Sequence, residues 1–394
     1  MVELKKEGQL MLYTLMNKNT PIADIKFNIK QEYISEVVKT HNPEFAPLGI
    51  TKNNKIDLEG LSEWWDNRAI PDTRENVEKI LEHLHQDRYE FLIQSLGLSL
   101  SDQYWVKPQK SGIEWKNVNF FKNTFSNDVG KLFFDYGTPS NQLNYSAPDW
   151  TLNGMLDKRW EQKENTTKLL KKGMGFLCQQ PFNEKIASDI LKQLDCKNFI
   201  QYELKIEKNT PISICKNFIN ENIEYIPASV LKKIDKRDQK DSEYEYFMKC
   251  CQKLKIDDLM QQYLDYALPF DYLISNVDRN YGNFGIIRNV ENLEILGAAP
   301  IFDNGNSLWY NAPQITQEVK SYPFVFLQDE QIKLVKNKNV FPVEKLAKVD
   351  MKIINNILKL NKNIPEERIK RIVENTQKKI QKLEYILSEK TNKM

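Results

Sequence analysis

Asp278 and Asn283 stand five residues apart, just after an apolar run, in Asp271-Tyr-Leu-Ile-Ser-Asn-Val-Asp278-Arg-Asn-Tyr-Gly-Asn283-Phe-Gly. A second aspartate follows in Pro300-Ile-Phe-Asp303-Asn-Gly. Phosphoryl transfer of the protein-kinase kind uses such a set. One carboxylate accepts the proton of the attacking hydroxyl, while an amide oxygen and another carboxylate hold magnesium against the ATP phosphates. The spacing has a mechanical basis. A tight loop turns Asp278 and Asn283 to the same side. Gly285-Ile-Ile-Arg and Leu293-Glu-Ile-Leu then run out and back around Asn289-Val-Glu-Asn292 as a β-hairpin, which delivers Asp303 opposite Asn283. Asp and Asn are also common turn-capping residues. A lone D-x-x-x-x-N is therefore weak, and the catalytic reading rests on loop, hairpin, apolar strand, Asp and Gly together.

ATP phosphates also call for a cation on the protein. Lys171 closes the strand-like Lys168-Leu-Leu-Lys171 and supplies a point charge for phosphate oxygens. Its neighbour Lys172 faces the other way if the strand continues. Glu184, in a helix opening at Asn183-Glu184, is the expected partner that holds Lys171 in place, as the Lys–Glu ion pair of kinases does. Upstream lies a turn-rich loop, Asn144-Tyr-Ser-Ala-Pro-Asp-Trp-Thr-Leu-Asn-Gly154, with Thr151, Asn153 and Gly154 as candidate phosphate contacts. Glycine allows close backbone approach, and free N–H groups suit phosphate. The loop is neither a Walker A motif, which the chain lacks, nor the G-x-G-x-x-G loop of ordinary protein kinases.

In its order of motifs the chain resembles the HipA-like kinases, bacterial toxin-type serine/threonine kinases with a divergent protein-kinase fold. The resemblance covers roughly residues 140 to 330 and is weaker upstream. It rests on Leu169-Leu-Lys171, Asn183-Glu184, Asp278-x-x-x-x-Asn283 and Ile301-Phe-Asp303. It implies Asp278 as catalytic base, Asn283 and Asp303 as magnesium ligands and Lys171 as the phosphate lysine, with ATP and Mg2+ as cofactors. It also implies that Cys215-Lys-Asn-Phe218 is a hinge whose backbone meets adenine at Lys216 and Phe218. Family members are often inhibited by a DNA-binding partner, so an antitoxin-like regulatory partner is implied. The first hundred residues do not visibly match the N-terminal domain many members carry. A serine in the family's phosphate loop is often autophosphorylated, which ejects the loop. Ser146 and Thr151 lie in the equivalent loop here, outside a matching motif.

Composition sets outer bounds. The 394 residues suffice for two or three cores, and 41% hydrophobic with 28% charged residues is the balance of a soluble globular protein. The longest apolar run, Ile295-Leu-Gly-Ala-Ala-Pro-Ile-Phe302, is too short to span a bilayer, and the start of the chain has no apolar signal core. A cytoplasmic protein is expected. Five cysteines, Cys178, Cys196, Cys215, Cys250 and Cys251, show no C-x-x-C or zinc-like spacing, so reduced thiols are expected, with Cys250 and Cys251 packed in a helix. The three histidines, His41, His83 and His85, all precede residue 100, which excludes a His-dependent site in the C-terminal part. His83 and His85 read as surface residues. With 56 basic and 54 acidic residues the net charge is +2, a balance that does not suggest direct nucleic-acid binding. Abundant Lys, Asn and Ile fit an AT-rich bacterial genome.

The expected fold class is α+β: a two-lobed, protein-kinase-like fold with a small β-rich N-lobe, a helical C-lobe and an N-terminal extension. The expected divisions are a mixed and helical extension over 1–100, an N-lobe with the ATP loop over 101–227 and a helical C-lobe with the catalytic loop over 228–394. In the extension, Asp72 and Glu75 read as a capping box for a helical pattern from Val77 to Ser95, and Trp64-Trp65 as a core pair. The aromatic-rich segments at 104–106, 112–116, 118–121 and 131–134 read as strands or short helices. At the C-terminus Ile369, Ile372, Ile380, Leu383 and Leu387 form one apolar stripe on a basic helix, which reads as a solvated C-lobe helix.

The leading functional reading is an ATP- and Mg-dependent serine/threonine protein kinase. An AMP transferase would use the same residues with ATP inverted. A non-catalytic ATP-binding or interaction module would place function in the Trp-rich N-terminal region and the basic C-terminal helix. Retention of Lys171, Asp278, Asn283 and Asp303 together argues against that last reading.

Overall fold

Alternating side chains in Leu10–Asn17 and Thr20–Asn28 bury Tyr13, Leu15, Ile25 and Phe27 on one face, the period-two signature of a half-covered sheet. A computed structural model describes residues 10–28, 33–71, 74, 77–84, 88–135, 144, 146–163 and 166–388. The chain divides into two compact units. The first comprises Met1–Leu170, Lys216–Tyr225 and Arg288–Ile295, and the second Lys171–Cys215, Ile226–Ile287 and Leu296–Met394.

In the first unit, Leu10–Asn17 pairs antiparallel with Thr20–Asn28 on one side and Tyr104–Pro108 on the other. Tyr33–Thr40 extends the sheet beyond Thr20–Asn28. The helix Leu58–Asp66 supplies Leu61 and Trp65 to the same core. Trp65 meets Phe27 edge-on with centroids 4.9 Å apart, so the expected aromatic pair is core packing. The expected helical pattern after residue 77 forms two helices, Val77–Leu84 and Arg88–Gln94. Asp72, Glu75, His85 and the His83 side chain lie outside the described residues. Of the aromatic segments, Tyr104–Pro108 is a strand, whereas Trp115–Val118 and Asp128–Asp135 are helices. Phe91 stacks on Trp150 at 4.1 Å, and Phe133 meets the same ring edge-on at 5.4 Å.

The second unit begins where the strand Thr166–Lys172 reaches Lys171. Tyr202–Glu207 and Thr210–Lys216 form an antiparallel hairpin. The helix Gln180–Gln193 starts three residues earlier than Asn183-Glu184 suggested, because Pro181 sits in its first turn, where a missing N–H costs nothing. Asn183 and Glu184 are therefore inside the helix and buried. The helix Glu243–Lys253 opens on a capping box of Ser242 and Glu245 and buries both Cys250 and Cys251. A longer helix, Asp257–Ile274, ends with Ser275 in the left-handed region (φ 53°). A three-stranded sheet is ordered Ile223–Pro227, Gly285–Asn289, Ile295–Ala298. The final helix, Glu366–Ser388, buries Ile369, Ile372, Ile380, Leu383 and Leu387. Among the described residues no helix is long and apolar enough to cross a membrane.

Candidate active site

Lys171 lies near the end of its strand with its side chain turned into the second unit and only 4% exposed. Its Nζ donates to Glu184 Oε1 at 2.5 Å and to Asp303 Oδ1 at 2.7 Å. Burial works against the ammonium, but the carboxylates of Asp303 and Glu184 outweigh it and hold the pKa well above the usual lysine range. Burial pushes Glu184 up to about 6 against the pull of Lys171. The same carboxylate receives Asn304 N–H on Oε2 at 2.9 Å. Glu184 thus ties the lysine to the backbone one residue past Asp303.

The hairpin accounts for how Asp303 arrives there. The Asn289 side chain accepts from the N–H groups of Glu291 and Asn292 and closes the turn. After Ile295–Ala298, Ile301 N–H donates to Asn198 O, and Ile200 N–H donates to Ile301 O, both at 2.9 Å. Asp303 itself adopts φ 54°, a left-handed conformation Asp tolerates better than most residues. Its N–H donates to the Tyr202 hydroxyl at 3.3 Å. The side chain stays about a third exposed at 32%.

Asp278 is held at both carboxylate oxygens. Oδ1 accepts from Asn280 Nδ2 and Oδ2 from Asn306 Nδ2, each at 2.8 Å. Burial raises its pKa, with the nearby Asp303 charge adding and the two amides opposing. A base poised above the ordinary aspartate range is better matched to proton abstraction near neutrality. Asn283 Nδ2 donates to Asp278 O at 2.8 Å, so the amide's donor end is turned inward and its Oδ1 remains for a ligand.

One buried arginine, missed from sequence, joins these pieces. Arg279 is completely buried and forms a two-point ion pair with Asp271 at 3.0 and 2.8 Å. It also donates to Asn283 O at 3.1 Å, Phe302 O at 2.7 Å and Asn304 Oδ1 at 2.6 Å. A single guanidinium fork therefore fixes the Asp278–Asn283 loop against the Asp303 segment. The available signal was its position beside Asp278. Arginine is rarely buried unless paired, and its partner Asp271 was read only as part of the preceding apolar run. Asn306, three residues past Asp303, was also missed.

The structure thus brings Lys171, Glu184 and Asp303 into direct contact and links Asp278 and Asn283 to each other. The remaining expected positions belong to the first unit. Thr151 closes a short turn, Pro148–Thr151, with its hydroxyl buried and donating to Pro148 O at 2.9 Å. Asn153 O accepts from Lys158 Nζ at 2.6 Å, and Gly154 adopts φ 92°. Lys216 is exposed, and Phe218 meets Tyr225 edge-on at 5.8 Å.

The donor set fits a nucleotide-bound magnesium ion. The Asn283 amide oxygen and the Asp303 carboxylate are hard oxygen donors, which magnesium prefers. Among the described residues no cluster of three or more His, Cys, Asp or Glu side chains is placed to hold a metal ion. A site with these two donors would need phosphate oxygens for the rest of the shell.

Together these elements define a mixed α and β architecture of the kinase-like, HipA type. HipA of the Shewanella oneidensis MR-1 toxin–antitoxin system, solved with HipB and its operator DNA, matches with a TM-score of 0.57 at 11% identity. The match covers 95% of this chain and 97% of that one. The Helicobacter pylori proinflammatory kinase CtkA matches with a TM-score of 0.48 at 18% identity, over 60% of this chain and 92% of that one. No protein-family model matches the chain, and no curated protein matches it in sequence.

Proposed function

We propose that the chain is an ATP- and Mg2+-dependent protein kinase of HipA-like type, transferring the γ-phosphoryl of ATP to a serine or threonine hydroxyl. The observation that carries this reading is the buried Lys171 bridging Glu184 and Asp303. A lysine so held is a fixed cation for phosphate oxygens. Asp303 and Asn283 would hold magnesium, which supplies charge neutralisation to the transferring phosphoryl. Asp278, fixed by Asn280 and Asn306, would accept the proton of the attacking hydroxyl. Thr151, Asn153 and Gly154 as phosphate contacts, and Lys216 and Phe218 as adenine contacts, remain part of the proposal. So does a cytoplasmic, toxin-like kinase, and an antitoxin-like protein partner finds support in the HipA complex with HipB.

Autophosphorylation in the loop would act on Ser146, which is exposed, before Thr151, whose hydroxyl is buried. The added charge of about −1.5 to −2 beside nucleotide phosphates would weaken ATP binding. Phosphopeptide mapping of active protein tests this, and an unmodified Ser146 removes it.

Incubation with Mg2+ and either γ-labelled or α-labelled ATP tests the function. The proposal predicts protein label from the γ position only. Label from the α position would mean AMP transfer, and none from either would mean a binding module.

A further inference from the structure

We propose that Lys379 is a positioning residue for the Asp278 loop, acting through Gln328. This rests on the kinase reading above for its catalytic consequence, but not for its geometry. Lys379 belongs to the helix Glu366–Ser388 and has no exposed surface. Its Nζ donates to Gln328 Oε1 at 2.8 Å and lies 4.0 Å from the centre of the Tyr272 ring. Gln328 is itself buried, and its Nε2 donates to Asn276 O at 2.8 Å and Asp271 O at 3.2 Å. Asn276 Oδ1 in turn accepts Asp278 N–H at 3.0 Å, and its Nδ2 donates to Asp271 Oδ1 at 2.8 Å. Three consecutive hydrogen-bonded links join the lysine to the candidate base.

The chemistry gives the chain of contacts a direction. A glutamine amide has a donor end and an acceptor end that exchange places when it turns. As an ammonium Lys379 can only donate, so in that form it fixes the oxygen toward itself and the NH2 toward the two carbonyls. Those carbonyls belong to the end of the helix Asp257–Ile274 and to the residue two before Asp278. A lysine is a costly way to fill space. Burial draws its pKa down to about 7, with Asp329 opposing and Lys382 adding to the fall. Asp329 is occupied elsewhere, by the Tyr272 hydroxyl at 2.9 Å and Lys382 Nζ at 2.8 Å. Methionine would fill the same space without the desolvation cost. The orienting bond to Gln328 is what the cation adds.

Two variants separate positioning from packing. Lys379→Met keeps volume and removes the donor. Gln328→Glu keeps an acceptor for Lys379, and strengthens it, but loses the NH2 that holds the carbonyls. Both are expected to speed amide hydrogen exchange at Asp278 and to lower kcat by about 10- to 100-fold, the scale of a small misplacement of a catalytic group, with KM for ATP within about 2-fold. Lys379→Arg, which retains a donor, is expected to recover part of kcat. A merely structural lysine would be replaced by Lys379→Met with kcat and exchange at Asp278 unchanged, and that result overturns the proposal. If Lys379→Met does not fold, Lys379→Gln, which can present either an acceptor or a donor to Gln328, is read by the same two measurements. If the parent protein shows no phosphotransfer, the kinase reading fails, and hydrogen exchange still decides whether Lys379 positions the loop.

Discussion

Lys171, Glu184 and Asp303 form a triad in which one buried cation is shared by two carboxylates, and its protonation sets a pH dependence. Glu184 gains a proton as pH falls through about 6. Its hold on Lys171 then weakens, so the affinity for ATP phosphates is expected to fall and KM for ATP to rise below that pH. Glu184→Gln should flatten this acidic limb and raise KM throughout. Unfolding does not explain the same change. The pKa is raised above the ordinary glutamate value, so the folded state binds the proton first, and stability from this group increases as pH falls across that window. Steady-state kinetics with parallel thermal melts between pH 5 and 8 separate the two. A KM independent of pH in the parent protein contradicts the role given to Glu184.

At the scale of elements, the hairpin joining Asn283 to Asp303 is tightly fitted at its first residue, Gly285. A Cβ added at Gly285 would lie 2.1 Å from Ile226 O, a backbone atom that cannot swing aside. Gly285→Ala is expected to cost about 1–3 kcal/mol or more, the usual range for overpacking, read as a lower urea midpoint at unchanged m-value. A midpoint equal to the parent's would mean that the strand shifts freely. This hairpin was legible because glycine, β-branched residues and an Asn-bounded turn mark it locally. The strand ending near Lys171 was legible too, from the apolar pair Leu169-Leu170 beside it. The early start of the helix at Gln180 was not, since Pro181 reads equally as a loop residue. Arg279, Asn306 and the Lys379–Gln328 bond were also invisible. Asn283 O apart, their side-chain partners lie 8 to 51 residues away, and no local period records such contacts. The assignment of aromatic segments to strand or helix was likewise decided by packing, as for Asp128–Asp135 against Trp150.

For the whole molecule, the fold is of HipA type, and the proposed account, an enzyme that would work on magnesium-bound ATP, rests on the kinase-like order of Lys171, Glu184, Asp278, Asn283 and Asp303. A ligand that binds only the folded state stabilises it, by about 2.7 kcal/mol at a hundredfold excess over Kd. Mg2+ with ATP should therefore raise the melting temperature, Mg2+ alone should raise it little, and Asp303→Ala should abolish the metal-dependent part. Equal stabilisation of parent and Asp303→Ala by Mg2+-ATP would remove Asp303 from the metal site. The central claim is that Asp278 performs proton transfer in a phosphotransferase. It is tested most directly by γ-phosphoryl transfer from saturating Mg2+-ATP, comparing the parent with Asp278→Asn. Asparagine is nearly isosteric and a good turn former, but it cannot take the hydroxyl proton in the same way. Turnover is expected to fall roughly 10²- to 10⁴-fold, the usual worth of a general base, with the melting temperature and ATP affinity retained. Turnover within a few-fold of the parent would show that Asp278 only shapes its loop, and would contradict the account.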